Sequence, residues 1–561
     1  MKNIQNILKK ASKELFDIDI EPTILIPEDE FGDYSTNLAM ILAKQLNKNP
    51  RELADEILDF IAEQPAINFD CVIAGPGFIN FTLHNSVLIN YLENSSKNDN
   101  LGRNKLYENK NVVTEFSDPN PFKVLHMGHF YTSVVGDAIS NLIEIAGGKV
   151  HRVNFGGDVG LHVAKTMWAI LEKIGGENSE RLKEVPEGEE ADWLSERYVE
   201  GNNAYSDNDS AKLEIIDLNK RIYKITNDND RESELAKIFW KARQWSYRYF
   251  DTFYNKIGVK FEKYYPESET AKFGLDTVQA HPDVYTKSNG ATVFEGEKFN
   301  LHTRVFINSE GLPTYETKDL GCTMQKYEDY KFDEQIIITG NDIIEYMKVV
   351  LKSIELYAPQ IALSTKHLTH GMLKLPGGVK QSSRLGNFVK AYDILEMVAK
   401  AQKKEQGESN DATILGAIKY AFLKNRLGPD VVFDPETSVS LNGDSGPYLQ
   451  YASARAKSIL RKSNYKESSF LADWQLDKFE RALAVKLFRF NEVVEQATID
   501  LAPHQICNYI YELSSVFNRF YENSKVTGSP REQIRISLVS LCVKTLDKSL
   551  NILGIPTMEK M

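Results

Sequence analysis

The chain is poor in cysteine and has no long apolar run. Its 561 residues include four cysteines, and no two of them are close in sequence: Cys71, Cys322, Cys507 and Cys542. This spacing excludes a disulfide framework and a Cys-x-x-Cys zinc site, and it favours four reduced thiols. No eighteen consecutive residues are apolar, and the N-terminus lacks the apolar core of a signal peptide. We therefore expect no transmembrane helix and a cytoplasmic location.

The chain also lacks a net positive charge, which at first argues against a nucleic-acid partner. Its formal net charge is −12, but the charges are unevenly distributed. Residues 441–561 carry three more basic than acidic residues, whereas residues 1–440 carry fifteen more acidic than basic ones. Because nucleic acids bind to local basic surfaces, this distribution is more informative than the sum. The C-terminal part has the weak positive polarity of a nucleic-acid-binding module.

The length predicts about three to four domains, and the apolar pattern divides the chain accordingly. Residues 1–105 indicate an α+β domain, with helical spacing at 37–46 and 50–61 and a strand–turn–strand pattern at 71–83. A polar stretch ends this domain. From about 385 the pattern is almost wholly helical, which predicts a helical linker at 386–440 and an all-α domain at 441–561.

Residues 106–385 have the pattern of an α/β domain. A strand at 111–117, a helix at 132–146 and a strand at 150–155 follow each other closely. This order predicts a parallel, doubly wound, Rossmann-like sheet that binds ligands at the carboxyl ends of its strands. A polar helical insertion interrupts the domain at about 175–250, and we expect the sheet to resume near 292–297, 304–320 and 334–342.

A phosphate-handling pattern follows the first strand of this domain. In His126-Met127-Gly128-His129 two histidines flank a glycine immediately before a helix. Helix N-termini attract phosphate, and Gly128 permits close approach to the backbone. His126 and His129 can donate hydrogen bonds to phosphate oxygens as charge develops there. By itself the pattern also fits two ordinary loop histidines.

A second phosphate-handling pattern lies far downstream, in the glycine-rich loop at 374–389. Lys380 and Arg384 bracket Ser382 and Ser383 there. Two cations on such a loop suit a departing pyrophosphate. Taken alone, the loop also fits an ordinary solvated basic segment.

Together the two patterns resemble the signature sequences of class I aminoacyl-tRNA synthetases. The segment Lys380-Gln381-Ser382-Ser383-Arg384 is similar to the second signature, with Gln381 and Arg384 in place of the usual methionine and second lysine. The resemblance implies that Lys123 shares the work of this loop. It also implies that His370, Gly371 and Met372 lie near adenine, so that ATP binding involves the following residues: His126, Gly128, His129, His370, Gly371, Met372, Lys380, Ser382 and Ser383.

Further segments resemble the arginyl-tRNA synthetase family in particular. Residues 31–57 and 75–83 are similar to its N-terminal domain, which contacts the corner of the tRNA. Residues 115–129 are similar to the stretch that leads into the first signature, and Pro313 to Leu320 to the family's Tyr-x-x-x-Asp segment. A guanidinium group needs carboxylate partners. The resemblance implies an arginine pocket of Glu115, Ser117, Asn120, Tyr315 and Asp319.

Residues 445–460 are similar to the start of the helical anticodon-binding domain that arginyl and cysteinyl synthetases share. Tyr448, Tyr451 and Arg455 recur there at helical spacing. Tyrosine rings can stack on unpaired bases while arginine contacts phosphate. The same tyrosines also fit a stripe that faces a core. The resemblance further implies that Met561 approaches the anticodon loop.

Three residues depart from the family pattern near the predicted catalytic site. Tyr131 stands where arginine is frequent, His162 where glutamine is frequent, and Ile343 where many members have a pocket glutamine. These changes bear on contacts to ATP and to the α-amino and carboxylate groups of the substrate.

The implied activity is the ATP-dependent activation of L-arginine and its transfer to tRNA(Arg). ATP is a substrate with Mg²⁺, no tightly bound metal is expected, and the resemblance implies a monomer whose activation step requires bound tRNA. Three alternatives remain at this point. A cysteinyl synthetase needs a zinc thiolate, a small-molecule nucleotidyltransferase has no use for the helical domain, and a non-catalytic RNA-binding paralogue loses the site chemistry.

Overall fold

A computed structural model describes residues 1–65, 67–97, 100–377, 388–463 and 475–560 of the chain. One apolar core runs from the N-terminal part through the sheet to the C-terminal helices, and a second lies against the central sheet's parallel strands. Within the described residues, none of the helices has the length and apolar character needed to cross a bilayer.

The N-terminal part is a small antiparallel sheet covered by helices, as the sequence predicts. Its sheet has the strand order β1-β2-β4-β3. The third helix begins where its sequence requires, because the Asn49 side chain accepts a hydrogen bond from the backbone N–H of Arg51 and Pro50 occupies the first turn. The elements are α1 Lys2–Phe16, β1 Ile24–Leu25, β2 Tyr34–Thr36, α2 Leu38–Leu46, α3 Pro50–Ala62, β3 Phe69–Ala74, β4 Phe78–Leu83 and α4 Asn85–Lys97.

The central domain contains the predicted parallel sheet, which confirms the Rossmann-like fold class. Five strands lie in the order β12-β11-β5-β6-β7, and every neighbouring pair is parallel. The strands therefore present their carboxyl ends at one edge, where the predicted signatures begin. These elements are β5 Asn111–Glu115, α5 Met127–Ile145, β6 Lys149–Gly156, α6 Leu161–Ile174, β7 Lys263–Pro266, β11 Glu334–Gly340, α12 Ile344–Glu355, α13 Pro359–Leu363 and β12 Thr365–His370.

The predicted helical insertion is present between α6 and β7. It has its own apolar core, and Phe122 and Val159 from the loops at the sheet edge belong to that core. The insertion is therefore packed directly against the segment that precedes the first signature. Its helices are α7 Glu190–Asp207, α8 Asp209–Asn227 and α9 Glu234–Ile257.

One prediction about the central sheet is wrong. Residues 292–297 and 304–320 do not continue it, because β8 Thr286–Ser288, β9 Ala291–Phe294 and β10 Arg304–Ile307 form a separate antiparallel sheet. The stretch from Tyr315 is helical instead, as α11 Tyr315–Tyr330. An alternating pattern predicts a strand without saying which sheet it joins, and the parallel sheet gains β7 in their place.

Helices α10 Glu267–Ala280 and α11 approach each other so closely that two glycines are required. A Cβ atom on Gly274 would lie 2.0 Å from the carbonyl oxygen of Thr317, and one on Gly321 would lie 2.1 Å from that of Thr270. We expect Gly274→Ala to lower the free energy of unfolding by about 3 kcal/mol, because backbone atoms cannot yield as a side chain can. Denaturant unfolding measures this loss, and Ala280→Gly at the exposed helix end is the control. An unchanged denaturation midpoint in Gly274→Ala would contradict the close crossing.

In the described ranges 391–463 and 475–560, the regular structure is helical except for one short strand, in agreement with the sequence pattern. Strands β13 and β14 form a two-stranded parallel ladder beside the central domain. The elements are β13 Leu373–Lys374, α14 Ala391–Gln406, α15 Asp411–Leu423, β14 Val431–Val432, α16 Pro435–Ser438, α17 Gly446–Lys462, α18 Lys478–Phe488, α19 Phe490–Ile499, α20 Pro503–Asn523 and α21 Glu532–Ile552.

Polar contacts that no sequence pattern predicted join the N-terminal part to the C-terminal helices. Both carboxylate oxygens of Asp33 accept hydrogen bonds from Arg481, at 3.0 and 2.7 Å. The hydroxyl of Tyr34 donates to Glu492 at 2.7 Å. Because Asp33 and Tyr34 are buried, these contacts fix how the two parts of the chain sit against each other.

Candidate active site

The two histidines of the first signature cap the N-terminus of α5. Nδ1 of His126 accepts hydrogen bonds from the backbone N–H groups of Gly128 and His129, and Nδ1 of His129 accepts one from the N–H of His126. The rings are stacked with their centroids 3.6 Å apart. Since each Nδ1 is an acceptor, each neutral ring carries its proton on Nε2.

The protonation state of both rings follows from their surroundings. Burial lowers the pKa of His126 to about 3, and the positive charge of Lys123 acts in the same direction. Burial and the neighbouring His126 also lower the pKa of His129. Both imidazoles are therefore neutral at physiological pH, with an Nε2–H group available as a hydrogen-bond donor.

The flanks of the two signatures lie side by side. The backbone N–H of Met127 donates to the carbonyl of Val389 at 3.0 Å, and that of Ala391 donates to the carbonyl of Leu125 at 2.9 Å. The Phe388 ring meets the His126 ring edge-on at 6.2 Å. The second signature itself lies outside the described residues, so Lys380, Gln381, Ser382, Ser383 and Arg384 have no structural description.

Lys123 lies at the junction between the first signature and the insertion. Its ammonium group stands over the ring of Tyr198 on α7, 5.6 Å from the ring centroid. On the same helix, Asp192 forms an ion pair with Lys390, just beyond the second signature. Helix α7 therefore contacts residues that flank each signature, Lys123 before the first and Lys390 after the second.

The segment His370-Gly371-Met372 lies at the end of β12, whose last residue is His370, in agreement with the predicted strand end. His370 is buried, its Nε2 lies 2.8 Å from the hydroxyl of Thr132 on α5, and its ring packs against Tyr131. A Cβ atom on Gly371 would lie 2.3 Å from the backbone of Pro429, so only glycine fits there. The Met372 side chain is 65% exposed and can cover a ligand at this edge.

Three carboxylates and one buried lysine meet below the first signature. Glu115, at the end of β5, forms a buried ion pair with Lys326 and accepts a hydrogen bond from the thiol of Cys322 at 3.5 Å. Burial raises the pKa of Asp118, and the negative charge of Glu115 raises it further. Asp319 accepts a hydrogen bond from the hydroxyl of Tyr346. The cluster thus holds more carboxyl groups than lysines, and it can become negatively charged when a cation enters and the carboxyl groups lose their protons.

The ionisation of Asp319 is also perturbed. Burial raises the pKa of its carboxyl group to about 8, and the charge of Glu115 acts in the same direction, while the hydrogen bond from Tyr346 opposes the shift. An incoming cation stabilises the charged form of a carboxyl group whose pKa is raised. This property suits a pocket for a guanidinium group.

The remaining predicted arginine ligands border this cluster at different depths. Asn120 accepts a hydrogen bond from the backbone N–H of Gly157 at 2.9 Å. The Ser117 hydroxyl is buried and lies 2.7 Å from that of Tyr254. Tyr315 is 59% exposed at the start of α11. The amide of Asn120 and the hydroxyl of Ser117 thus already have partners within the chain.

Three residues depart from the family pattern, and each has different surroundings: Tyr131, His162 and Ile343. Tyr131 is fully buried, and its hydroxyl finds no hydrogen-bond partner among the described residues. Nε2 of His162 lies 2.8 Å from the carbonyl of Gly157, and burial lowers the pKa of His162 to about 3. Ile343 packs against the second core, on the Asp319 side of the sheet.

Sequence reasoning missed Asp118, Lys326 and Tyr346. For Lys326 a signal was available, because Asp319, Cys322 and Lys326 are spaced by three and four residues and therefore share one face of α11. Asp118 directly follows a predicted strand, where ligands bind in such sheets. Tyr346 comes from a separate helix, and no local pattern connects it with Asp319.

The predicted anticodon residues lie on α17. The Tyr448 hydroxyl accepts a hydrogen bond from Asn518 at 2.9 Å, and its ring lies beside Tyr511. Tyr451 is 41% exposed, whereas the Arg455 guanidinium stacks over the Tyr521 ring at 4.6 Å. Of the three, Tyr451 offers an open ring face. Met561 lies outside the described residues.

Comparison with known proteins identifies the family of the chain. Three family models match the chain: Arginyl tRNA synthetase N terminal domain at residues 2–83, the catalytic domain of tRNA synthetases class I (R) at residues 91–434, and DALR anticodon binding domain at residues 449–561. The arginine–tRNA ligase of Clostridium perfringens is 30% identical over 587 residues, which cover 99% of this chain and 100% of that protein. The corresponding ligase of Borrelia hermsii is 27% identical and covers 100% of this chain and 99% of its own.

Solved structures agree in fold. The arginyl-tRNA synthetase of Thermus thermophilus superposes with a TM-score of 0.80 at 23% identity and covers 100% of both chains. The enzyme from Plasmodium falciparum gives a TM-score of 0.80 at 22% identity, over 100% of this chain and 99% of that one. The matches to the catalytic model and to curated ligases decide against the cysteinyl and nucleotidyltransferase alternatives. The chain belongs to the arginyl-tRNA synthetase family, whose members join arginine to its tRNA at the expense of ATP.

Proposed function

We propose that the carboxyl-terminal edge of the central sheet activates arginine through His126, His129, Lys123, Lys380 and Arg384. The observation that carries this proposal is the pair of neutral imidazoles whose Nδ1 atoms are used for capping, which leaves two Nε2–H donors at one helix N-terminus. The backbone hydrogen bonds between the flanks of the two signatures support a shared site.

In the first step the arginine carboxylate attacks the α-phosphorus of ATP, and the bond to the leaving pyrophosphate breaks. His126 and His129 stabilise the oxygens of the five-coordinate phosphorus, and Lys123, Lys380 and Arg384 hold the pyrophosphate. In the second step a ribose hydroxyl of tRNA attacks the adenylate carbonyl, and AMP leaves. Neither step needs a protein nucleophile, so the protein contributes positioning and electrostatic stabilisation.

We propose that ATP lies between the start of α5 and the end of β12. Gly128 leaves room at the helix N-terminus, and His370, Gly371 and Met372 border the adenine side. Ser382 and Ser383 contribute hydroxyl groups from the second signature. The buried contact between His370 and Thr132 supports this arrangement, because it ties the end of β12 to the signature helix.

We propose that the guanidinium group of arginine binds between Glu115 and Asp319, with Ser117, Asn120 and Tyr315 around the rest of the substrate. The buried Lys326 is a positioning residue that fixes the Glu115 carboxylate. The excess of carboxylates over lysine in this cluster supports a cationic substrate. The guanidinium group of arginine presents its N–H donors as a planar fork, whereas lysine has a single ammonium group. Lysine would therefore leave carboxylate acceptors of this pocket unpaired.

The pH dependence of arginine binding tests this pocket. Since the Asp319 carboxyl has a pKa of about 8 in the empty site, it is largely protonated at lower pH and must lose its proton when the guanidinium binds. We expect the dissociation constant of arginine to fall by up to about tenfold per pH unit from pH 6 to 8 and to level off above. Calorimetric titration in two buffers of different ionisation enthalpy measures the released proton.

Asp319→Asn is the control for this titration, because it removes the group that titrates. We expect the residual arginine affinity of this variant to vary little between pH 6 and 8. Equal pH dependence in the variant and the unaltered chain would show that another group is responsible.

We propose that Tyr448, Tyr451, Arg455 and Met561 contact the anticodon loop. The exposed ring of Tyr451 supports a stacking role. We expect Tyr451→Ala to raise the KM for tRNA about tenfold, because stacking of one base on an aromatic ring contributes about 1–3 kcal/mol. Tyr451→Phe keeps the ring and should leave the KM within about twofold of its original value. Equal KM values for both variants would contradict stacking.

Four broader properties complete the proposal. Mg²⁺ accompanies ATP, since phosphate oxygens are its usual ligands, and no cluster of three metal-binding side chains occurs among the described residues.

We propose a monomer that acts in the cytoplasm, where tRNA is used. The proposed domains are 1–105, 106–385 with an insertion at about 175–250, 386–440 and 441–561.

A further inference from the structure

The end of α21 meets the signature helix in a buried polar junction. Lys419 on α15 is 2% exposed and donates a hydrogen bond to the carbonyl of Gly554 at 2.6 Å. Asn141 on α5 donates to the carbonyls of Asn551 and Ile552 at 3.4 and 3.2 Å. The Asn141 side chain of α5 thus adds to the backbone hydrogen bonds at the end of α21, and Lys419 of α15 binds the carbonyl of Gly554 just beyond that end.

Asp137 on α5 completes this junction. A Cβ atom on Gly554 would lie 2.8 Å from an Asp137 carboxylate oxygen and 3.2 Å from the Lys419 ammonium nitrogen. Gly554 has a φ of 64°, which glycine adopts without strain. Among the described residues, no carboxylate lies within ion-pair distance of Lys419, so the Gly554 carbonyl is its hydrogen-bond partner there.

The junction continues into segment 554–560, which follows α21 and lies along α17. Gln450 is fully buried and donates to the carbonyl of Pro556 at 2.8 Å. Lys457 donates to the Met558 carbonyl and to Glu559, at 3.2 and 2.9 Å. The segment is therefore bound along most of its length to one side of α17.

The opposite side of α17 carries the proposed anticodon contacts. At about 100° per residue, Tyr448, Tyr451 and Arg455 project roughly opposite to Gln450 and Lys457. RNA that binds to α17 can therefore shift or steady segment 554–560 without touching it. The segment begins at Gly554, which lies beside Asp137 of the helix whose N-terminus carries both signature histidines.

We propose that Lys419 is a positioning residue that couples binding of the anticodon loop on α17 to the placement of α5, and thereby to the rate of arginine activation. The proposal rests on the proposed role of α17 in anticodon binding. A buried ammonium group that loses its carbonyl partner is strongly disfavoured, even with the negative charge of Asp137 nearby. For that reason the end of α21 and the signature helix move together, and α5 transmits the displacement to His126 and His129.

The test compares two tRNA transcripts, one with the cognate anticodon and one with a single anticodon base changed. For each transcript, filter binding gives the dissociation constant, and a single-turnover experiment at saturating tRNA gives the arginylation rate. In the unaltered chain we expect the base change to weaken binding and also to lower the saturating rate. A base change without any effect on the saturating rate would overturn the proposal.

In Lys419→Met the ammonium is lost and the side chain keeps its length. We expect the rate with cognate tRNA to fall about tenfold, towards the rate that the changed tRNA supports in the unaltered chain. The base change should then alter the saturating rate by less than twofold, although its effect on binding persists. If the base change lowers the rate by the same factor as in the unaltered chain, Lys419 is only structural.

Lys544→Met is the matched control. Lys544 lies on α21 and also donates to a carbonyl across an interface, but its partner is Ser96 at the N-terminal part, 2.7 Å away. We expect this variant to keep the full sensitivity of the rate to the anticodon base. Loss of sensitivity in Lys544→Met as well would overturn a specific role for the junction at α5.

A second variant covers the case in which Lys419→Met does not fold. Asn141→Ala removes the amide that binds the last carbonyls of α21 and leaves Lys419 in place. We expect a smaller loss of the cognate rate and a reduced effect of the base change on that rate. An undiminished effect counts against the proposal. Failure of the α17 contacts would appear separately, as unaltered tRNA affinity in Tyr451→Ala.

Discussion

Replacement of His126 by asparagine is expected to lower kcat by about 10²–10³-fold, the usual loss when one donor to a developing oxyanion is removed. The His126 side chain has two roles in this chain. Its Nδ1 caps α5, and its Nε2–H, which has no hydrogen-bond partner within the described part of the chain, can donate to phosphate. Asparagine is among the best N-cap residues, so its short amide can keep the cap while it withdraws the distal donor.

Several measurements make this prediction specific. We expect the melting temperature and the KM for ATP of His126→Asn to stay close to their original values, because the cap and the nucleotide pocket persist. His302→Asn, in an exposed loop, is the matched control and should leave kcat unchanged. A rise in the KM for ATP at constant kcat would mean that His126 acts in ground-state binding instead.

The neutral state of the two imidazoles predicts how kcat depends on pH. Because burial lowers the pKa of His126 to about 3 and also lowers that of His129, neither ring gains a proton between pH 6 and 8. The kcat should therefore show no histidine-type titration in this range. A step near pH 6.5 that His126→Asn abolishes would contradict the neutral pair.

The second large effect is expected in the arginine pocket. Asp319→Asn keeps the size of the side chain but removes the charge that we propose faces the guanidinium group. We expect kcat/KM for arginine to fall on the order of 10³-fold, since loss of one partner of a buried charge pair costs about 2–5 kcal/mol. Most of this loss should appear in the KM for arginine, while the KM for ATP stays unchanged.

Glu328→Gln is the control for charge alone. Glu328 lies on the same helix, exposed, and its partner is Lys331, so its neutralisation removes one negative charge from α11 without entering the pocket. Steady-state arginylation with arginine and with its neutral analogue citrulline separates charge from shape. The assignment of Asp319 would be wrong if its variant and Glu328→Gln gave equal kcat/KM for arginine.

Local patterns in the sequence identified both signatures because their chemistry is contiguous. His126, Gly128 and His129 lie within four residues, and the backbone before a helix needs little else to become a phosphate site. The parallel sheet was likewise predictable from one β-loop-α-β repeat. The antiparallel sheet of β8, β9 and β10 was not, since strand pairing depends on contacts outside the strand.

In the arginine pocket, the sequence predicted two carboxylates but not the residues that pair with them. Glu115 and Asp319 were predicted from resemblance, but their partners Lys326 and Tyr346 were not. The charge balance of the pocket, and hence the raised pKa of Asp319, depends on which groups share its interior. Burial acts over a few ångströms in space, and the four residues come from three separate elements.

By itself the sequence determined the reaction class and the order of the matched domains, and it supplied the candidate substrate residues, because these depend on short motifs and on local periodicity. Only the tertiary structure decided that Nδ1 of each signature histidine is used for capping, that Lys326 pairs with Glu115, and that Lys419 on α15 binds the Gly554 carbonyl just beyond α21. The physical reason is that protonation, pairing and burial are set by neighbours that folding brings together from distant parts of the chain.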